Sequence, residues 1–123
     1  MRLEDLQIYQ MSMDLSERVW IVVQEWSWFS RDTLGKQLVR AADSISANIA
    51  EGFGRYHFKE NLNFCFYSRG SLYETKTWLT KAHNRNLINK QNFEYLINLC
   101  NTLALKLNNY IKTIGKATSP GSH

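Results

Sequence analysis

Residues 34–53 read LGKQLVRAADSISANIAEGF, and this stretch decides the fold. From Leu34 to Phe53 its apolar side chains recur at steps of three and four residues, which is the spacing of one face of an α-helix. Alanine and serine fill much of the remaining surface and allow a neighbouring helix to approach closely. Gly52 and Gly54 are predicted to stop the helix, because glycine tolerates the left-handed backbone that ends many helices.

The same periodicity extends to both sides of this stretch. The sequence predicts four long helices, over residues of about 6–29, 34–53, 58–83 and 90–114. Four helices of matched length with short links fold most simply as an antiparallel up-down bundle. We therefore predict an all-α fold with a single four-helix-bundle domain over residues 1–116 and a flexible tail over 117–123.

The predicted connections are short and polar. Residues 30–32 read as a connection, with Asp32 or Thr33 capping the second helix. Asn89 is the predicted cap of the last helix. Within the second helix, Ser44 and Asn48 are expected to hydrogen-bond to a neighbouring helix.

Composition limits the class of protein. The chain has 123 residues and a mass of 14.4 kDa, which suits one domain. Its longest unbroken aliphatic and aromatic run covers only residues 19–23, far short of a membrane helix, and MRLEDLQ at the start does not resemble a signal peptide. Cys65 and Cys100 fall on apolar stripes of different helices and are expected to be free thiols. We expect a cytoplasmic protein with no membrane partner.

The first and third helices carry more apolar surface than a lone bundle can bury. Each has two apolar faces, and Trp28 lies outside both faces of the first helix. On the third helix, Arg69, Lys76 and His83 follow one another at intervals of seven residues, and Gly70-Ser71 interrupts its middle. Contiguous exposed apolar patches of this size are rare on monomers, so we expect a homo-oligomer. A tight contact with another helix or subunit would explain the glycine.

Charge is unevenly distributed along the chain. The formal net charge is +4, yet residues 1–32 carry three basic and six acidic side chains. Residues 33–123 carry twelve basic and five acidic side chains. Such an asymmetry is compatible with nucleic-acid binding without requiring it.

Motifs of common enzymes are missing. The sequence contains no HExxH, CxxC, GxxxxGK[ST] or GxSxG, and no two of its three histidines have ligand spacing. Glu51 and Glu74 could in principle form an acid–base pair, but Glu51 more simply pairs with an arginine. We expect a protein that is not an enzyme and that needs no cofactor or metal.

One stretch resembles a known family. Residues 37–55 read QLVRAADSISANIAEGFGR, followed by Lys59-Glu60 and by SRGSLYE at 68–74. This pattern resembles the bacterial four-helix-bundle family of the 23S rRNA intervening-sequence proteins, also called S23 ribosomal proteins. Accessory variability-determinant proteins of diversity-generating retroelements are similar. The resemblance covers residues 5–115.

Departures from the family pattern concern charge and backbone. Val39 replaces the first arginine of the family's pair, whereas Arg40 keeps the second. Ser46 replaces the usual proline, and Phe29-Ser30 replaces a Phe-Pro that often ends the first helix. The missing arginine weakens the case for nucleic-acid affinity but not for the fold.

The resemblance implies an antiparallel bundle that assembles into a homopentamer with a central channel. It also implies a nucleic-acid ligand, because the retroelement relatives form basic assemblies thought to hold nucleic acid and a reverse transcriptase. We therefore favour nucleic-acid binding, most simply of RNA. The candidate binding residues are Arg40, Arg55, Lys59, Arg69, Lys76, Lys81 and Arg85.

Two other functions remain open. A protein-interaction scaffold without a direct nucleic-acid role would rely on surface apolar residues such as Trp28, Tyr95 and Leu99. A metal-dependent nuclease would need a cluster of acidic residues or histidines, which the sequence does not present.

Overall fold

Four long helices make up the computed structural model, which describes residues 1–118 and the side chains of residues 1–116. They are α1 (Gln7–Gln24), α2 (Lys36–Phe53), α3 (Phe58–Asn84) and α4 (Lys90–Thr118), and a 3-10 turn over Leu3–Asp5 precedes them. No strand occurs in the described part of the chain. The predicted all-α fold is confirmed.

The core lies along the axis shared by the four helices. Each helix packs against its neighbours in the chain, and α1 also packs against α4. Leu15, Leu38, Leu72 and Leu103, one from each helix, are completely buried. Their burial follows from the apolar periodicity of each helix, because removing apolar surface from water is the main driving force for packing.

The predicted end of the first helix was wrong. It was placed at Phe29, but α1 ends at Gln24. Ser27 has an extended backbone and its Oγ accepts a hydrogen bond from the Ser30 N–H, so Ser27 caps a new helical turn that begins at Trp28. The predicted connection over residues 30–32 therefore lies inside helical structure.

The glycines at the end of α2 match the prediction only in part, because α2 ends at Phe53 with Gly54 as its C-cap. Gly52 is helical and buried, and an added Cβ would lie 2.9 Å from Phe64 Cβ of α3. Gly54 has a φ of −77°, so it does not adopt the left-handed conformation. Gly52 is required by the close approach of α2 and α3. The predicted stop at Gly54 is confirmed, but the left-handed backbone predicted for it was wrong.

The left-handed backbone occurs instead between α3 and α4, where Asn86 has a φ of 60°. Asn89 caps α4 as predicted, because its Oδ1 accepts a hydrogen bond from the Asn92 N–H at 2.7 Å. α4 continues through Ala117 and Thr118, which were assigned to the tail. The rest of the predicted tail, residues 119–123, lies outside the described residues.

The polar contact between α2 and α3 also differs from the prediction. Ser44 and Asn48 bond to carbonyl oxygens of their own helix, not to a neighbour. Ser68 of α3 makes the contact instead: its buried Oγ donates to the Ile45 carbonyl oxygen of α2 at 2.8 Å. A sequence pattern does not reveal this acceptor, because it belongs to a different helix.

Within the described residues, no helix is both long enough and apolar enough to cross a membrane.

Candidate nucleic-acid interface

Two connections meet at one end of the molecule. The segment between α1 and α2 and the segment between α3 and α4 lie on either side of a groove of about 390 Å³. Phe29, Ser30, Thr33 and Leu34 line it on one side, and Arg85 and Leu87 on the other. We call this part of the molecule, residues 27–40 and 85–89, the connection end.

Two large aromatic side chains project from the connection end. Trp28 and Phe29 begin the helical turn that Ser27 caps, and they are 68% and 70% exposed. Exposed aromatic rings are the surfaces on which unpaired bases stack. The exposure predicted for Trp28 is confirmed.

A π turn over Arg31–Gly35 then sets the direction of the basic side chains. The Lys36 N–H donates to the Arg31 carbonyl, five residues earlier, so this turn is wider than an α-helical one. In a regular α-helix, Arg31 and Arg40 would point about 180° apart, since nine residues turn about 900°. The wider turn brings both to one groove.

That second groove, of about 570 Å³, lies between α1 and α2. It is lined by Trp20, Val23, Gln24, Arg31, Gly35, Lys36, Val39 and Arg40. An added Cβ on Gly35 would lie 2.8 Å from Val23 Cγ1, so glycine allows the π turn to pack directly on α1.

Three arginines of the connection end are available to an anion. Among the described residues, no carboxylate lies within 4.0 Å of the guanidinium groups of Arg31, Arg40 or Arg85. Lys36 is different, because its Nζ lies 2.7 Å from Asp32 Oδ1. The connection end therefore combines unpaired guanidinium groups with exposed aromatic rings.

Comparison with known proteins identifies the family. The family model of the 23S rRNA-intervening sequence protein matches residues 4–109. The chain belongs to this family. Its fold is similar to that of a crystal structure of a protein of unknown function from the S23 ribosomal protein family of Bacteroides thetaiotaomicron, with a TM-score of 0.77 and 21% sequence identity. The match covers 85% of this chain and 98% of that one. No curated protein matches the chain.

In this intervening-sequence protein the seven predicted binding residues do not form one surface. Arg40 and Arg85 lie at the connection end. Lys76 and Lys81 share a shallow groove of about 510 Å³ along α3 with Tyr73.

The other three candidates do not line that groove. Arg69 donates from Nη1 to Asn108 Oδ1 at 3.1 Å, and its guanidinium lies 5.0 Å from the centre of the Phe66 ring. Arg55 forms ion pairs with two carboxylates: its Nη2 lies 2.6 Å from Glu51 Oε1 and its Nη1 lies 3.9 Å from Glu60 Oε2.

Arg55 also stacks on an aromatic ring, with its guanidinium 5.0 Å from the centre of Phe64. The expected pairing of Glu51 with an arginine is confirmed. Lys59 is exposed at the same end of the bundle as Arg55, opposite the connection end. These two residues therefore cannot act together with Arg40 and Arg85 on one small ligand.

Sequence reasoning missed Arg31 and Lys36. Both lie where the sequence had predicted a connection and a helix start, and helical spacing places Arg31 on the side away from Arg40. The signal that could have found Arg31 is the pair Ser27 and Ser30, which permits a cap before Trp28 and so makes residues 28–40 one helical segment.

Three side chains of types that often perform chemistry are stacked or buried here. His83 stacks on Phe93 with ring centres 4.3 Å apart. Cys65 and Cys100 are buried free thiols, as expected, and burial raises their pKa values to about 11 and about 12. No group of three or more histidine, cysteine, aspartate or glutamate side chains within the described residues could hold a metal ion.

Proposed function

We propose that this intervening-sequence protein is a non-enzymatic oligomeric bundle that binds nucleic acid, with RNA as the favoured ligand, through its connection end. The observation that carries the proposal is the set of three arginines without a carboxylate partner beside two exposed aromatic rings. Proteins that bind single-stranded nucleic acid use this combination, because the cations contact the phosphates and the aromatic rings stack on the bases.

The proposal includes an antiparallel up-down order of the helices and a cytoplasmic homopentamer. Short connections over residues 54–57 and 85–89 support the helix order, since they leave each helix beside the next. The resemblance to pentameric relatives supports the number of copies. Several copies would multiply the phosphate contacts of one ligand, which raises the overall affinity without any new kind of contact.

The salt dependence of binding tests the proposal. Fluorescence anisotropy of a labelled single-stranded RNA of about 30 nucleotides is measured at 50 and 200 mM salt. An RNA that contacts a single copy through three phosphates should show a slope of about −2.1 in log affinity against log salt, which is about an 18-fold loss over this range, and contacts to several copies should make the slope steeper. No binding at 50 mM salt would refute the proposal.

A matched pair of variants tests the site. Arg31→Gln/Arg40→Gln/Arg85→Gln should weaken RNA binding at least about ten-fold and make the salt slope shallower by about 2 or more. The control Lys59→Gln/Lys112→Gln/Lys116→Gln removes the same charge from the other end and should change binding less than about two-fold. Equal losses in both variants would mean that total charge, and not the connection end, governs binding.

A protein-interaction scaffold is the alternative if RNA does not bind. Of the residues predicted for that role, Trp28 is well exposed, whereas Leu99 is half-buried against the core. Tyr95 is 51% exposed, and the Arg18 guanidinium lies 4.8 Å from the centre of its ring. Of the three, only Trp28 lies at the connection end, where nucleic-acid binding has three arginines and two aromatic rings.

A further inference from the structure

Two partly apolar faces remain exposed on opposite sides of the bundle. On α1, Met13 and Trp20 are seven residues apart and 40% and 51% exposed, and Trp20 borders the groove with α2. On α3, Phe66 and Tyr73 are also seven residues apart and 40% and 49% exposed. α1 and α3 both pack against α2 and α4, so they occupy diagonal positions and their outward sides point apart.

The first face carries two carboxylates on the side of Trp20 away from the connection end, whereas Arg31, Lys36 and Arg40 line the groove that Trp20 borders. Partial burial and the negative charge of Glu17 of α1 both raise the pKa of Asp43 of α2. Neither carboxylate has a basic partner within 4.0 Å among the described residues. We call Met13, Glu17, Trp20 and Asp43 the acidic face.

The second face is basic. Arg69 is held by Asn108 of α4 and lies over Phe66, and Lys76 borders the α3 groove beside Tyr73. Neither cation has a carboxylate within 4.0 Å in the described part of the chain. We call Phe66, Arg69, Tyr73 and Lys76 the basic face.

We propose that the acidic face of one copy binds the basic face of the next copy. The inference rests on the self-association proposed above and adds the surfaces that make it. Each face offers two large apolar side chains beside two unpaired charges, and the charges of the two faces are opposite. Complementary charge fixes the register of an interface and disfavours the pairing of identical faces.

A contact between two different faces is heterologous, so it joins copies head to tail. The two faces lie on opposite sides of each bundle, which lets every copy bind one neighbour with each. Such a contact closes into a ring when the rotation between copies allows it. In a ring all copies point the same way, which would gather the connection ends on one side and align their arginines for a single nucleic acid.

Gly70 gives independent support. It lies in the middle of α3 between Phe66 and Tyr73, and no atom of the described residues would lie within 4 Å of an added Cβ. Glycine is disfavoured inside a helix, and the chain itself supplies no close contact that would require it here. The tight contact expected from the sequence is therefore not made within the chain, and a second copy packed against the basic face would supply it.

Charge reversal tests the pairing of the two faces, with mass measured by light scattering in the absence of nucleic acid. Glu17→Lys/Asp43→Lys reverses the acidic face and Arg69→Glu/Lys76→Glu the basic face. Each should reduce the wild-type oligomer to single copies, whereas all four changes in one chain should restore the oligomer. Circular dichroism checks that each variant folds.

Controls separate a specific contact from a change in total charge. Glu4→Lys/Glu25→Lys and Lys59→Glu/Lys116→Glu change the charge equally outside both faces and should keep the wild-type mass. Gly70→Gln adds bulk without charge and should weaken self-association at least ten-fold while the chain stays folded.

The outcomes distinguish this inference from the proposed function. A wild-type chain that remains a single copy at high concentration would overturn both the self-association and the pairing of the faces. A wild-type oligomer whose mass survives either reversal would overturn the pairing alone. RNA binding is scored separately by anisotropy, so its loss or retention decides neither result.

Discussion

Replacing Gly52 with alanine should destabilise the protein, although this change usually stabilises a helix. Alanine is favoured over glycine by about 1 kcal/mol in a helix interior. At this position, however, an added Cβ would lie 2.6 Å from Asn61 Oδ1 and 2.9 Å from Phe64 Cβ. The Asn61 side chain can rotate away, whereas Phe64 Cβ is fixed to the backbone of α3. The two helices therefore have to separate.

The size of the effect follows from that separation. Ordinary contact begins at 3.4 Å, so α2 and α3 must move apart locally by about 0.5 Å. A gap of this size removes about a quarter of the dispersion energy of each neighbouring contact. Overpacking of a core typically costs ~1–3 kcal/mol, from which the gain in helix propensity is subtracted. We expect a net loss of about 1 kcal/mol and a Tm lower by about 3–6 °C.

Urea unfolding followed by circular dichroism measures the change, and Gly54→Ala is the matched control. An added Cβ on Gly54 would meet only carbonyl oxygens, at 3.6 and 3.7 Å, and its φ of −77° suits alanine. Gly54→Ala should therefore stabilise the protein by about 0.4–1 kcal/mol. A Gly52→Ala protein as stable as the wild type would refute the close-approach argument. If Gly54→Ala destabilised the protein as much as Gly52→Ala, contact with α3 could not be the reason, because Gly54 does not face α3.

Three further predictions concern single side chains. Ser68→Ala should cost ~1 kcal/mol in urea unfolding, because it removes a buried hydrogen bond between helices, and an unchanged midpoint would contradict this. The thiols of Cys65 and Cys100 should resist a thiol reagent at pH 8 until the chain unfolds, since burial raises their pKa values to about 11 and about 12; rapid labelling without denaturant would count against it. Asp43→Asn should stabilise the folded protein at neutral pH, measured in the basic-face reversal variant so that only single copies are present. Partial burial and the charge of Glu17 raise the pKa of Asp43, so its ionised form destabilises the folded state, and that form is lost as the pH falls through the pKa. That gain should shrink as the pH falls towards this pKa, and a gain independent of pH would show that ionisation is not its cause.

The fold could be predicted because each helix repeats one simple signal over many residues. An apolar stripe from Leu34 to Phe53 is long enough to exclude a strand, and the other three stripes are similar. A helix end depends on only one or two residues. Rules based on the local sequence therefore often cannot decide which of several possible capping residues starts or ends the helix. Both Ser27 and Asp32 are acceptable caps, and the side chain of Ser27 makes the bond that starts the next helical turn.

The roles of the glycines could not be predicted from the local sequence. Gly52 and Gly54 look equivalent along the chain, yet only Gly52 faces another helix. Gly52 is needed because α3 lies close to it, and the local sequence does not reveal the distance between two helices. The same limit applies to Ser68, whose acceptor lies 23 residues away in the chain.

The candidate interface was predicted only in part, for a reason of geometry. Arg40 and Arg85 were found as basic residues, but their distance from Arg55 and Lys59 depends on which end of the bundle each helix presents. Arg31 was missed because a regular helix would point it away from Arg40. A single wider turn changes the direction of every side chain before it, and periodicity alone does not reveal where such a turn occurs.

Net charge is a poor guide to binding in this family member, because it adds paired and unpaired cations alike. Arg18, Lys36 and Arg55 each lie within 3 Å of a carboxylate one helical turn away, so an incoming phosphate would have to compete with that partner. Ion pairs of this exposed kind contribute little to stability, but they lower the charge that a ligand meets. Of the cations without a carboxylate within 4.0 Å among the described residues, Arg69 and Lys76 lie on the basic face and Arg31, Arg40 and Arg85 at the connection end. The others are Lys59, Lys81, Lys106, Lys112 and Lys116, which belong to neither surface. If the basic face binds another copy, Arg69 and Lys76 are covered, and assembly itself then decides which arginines a phosphate can reach.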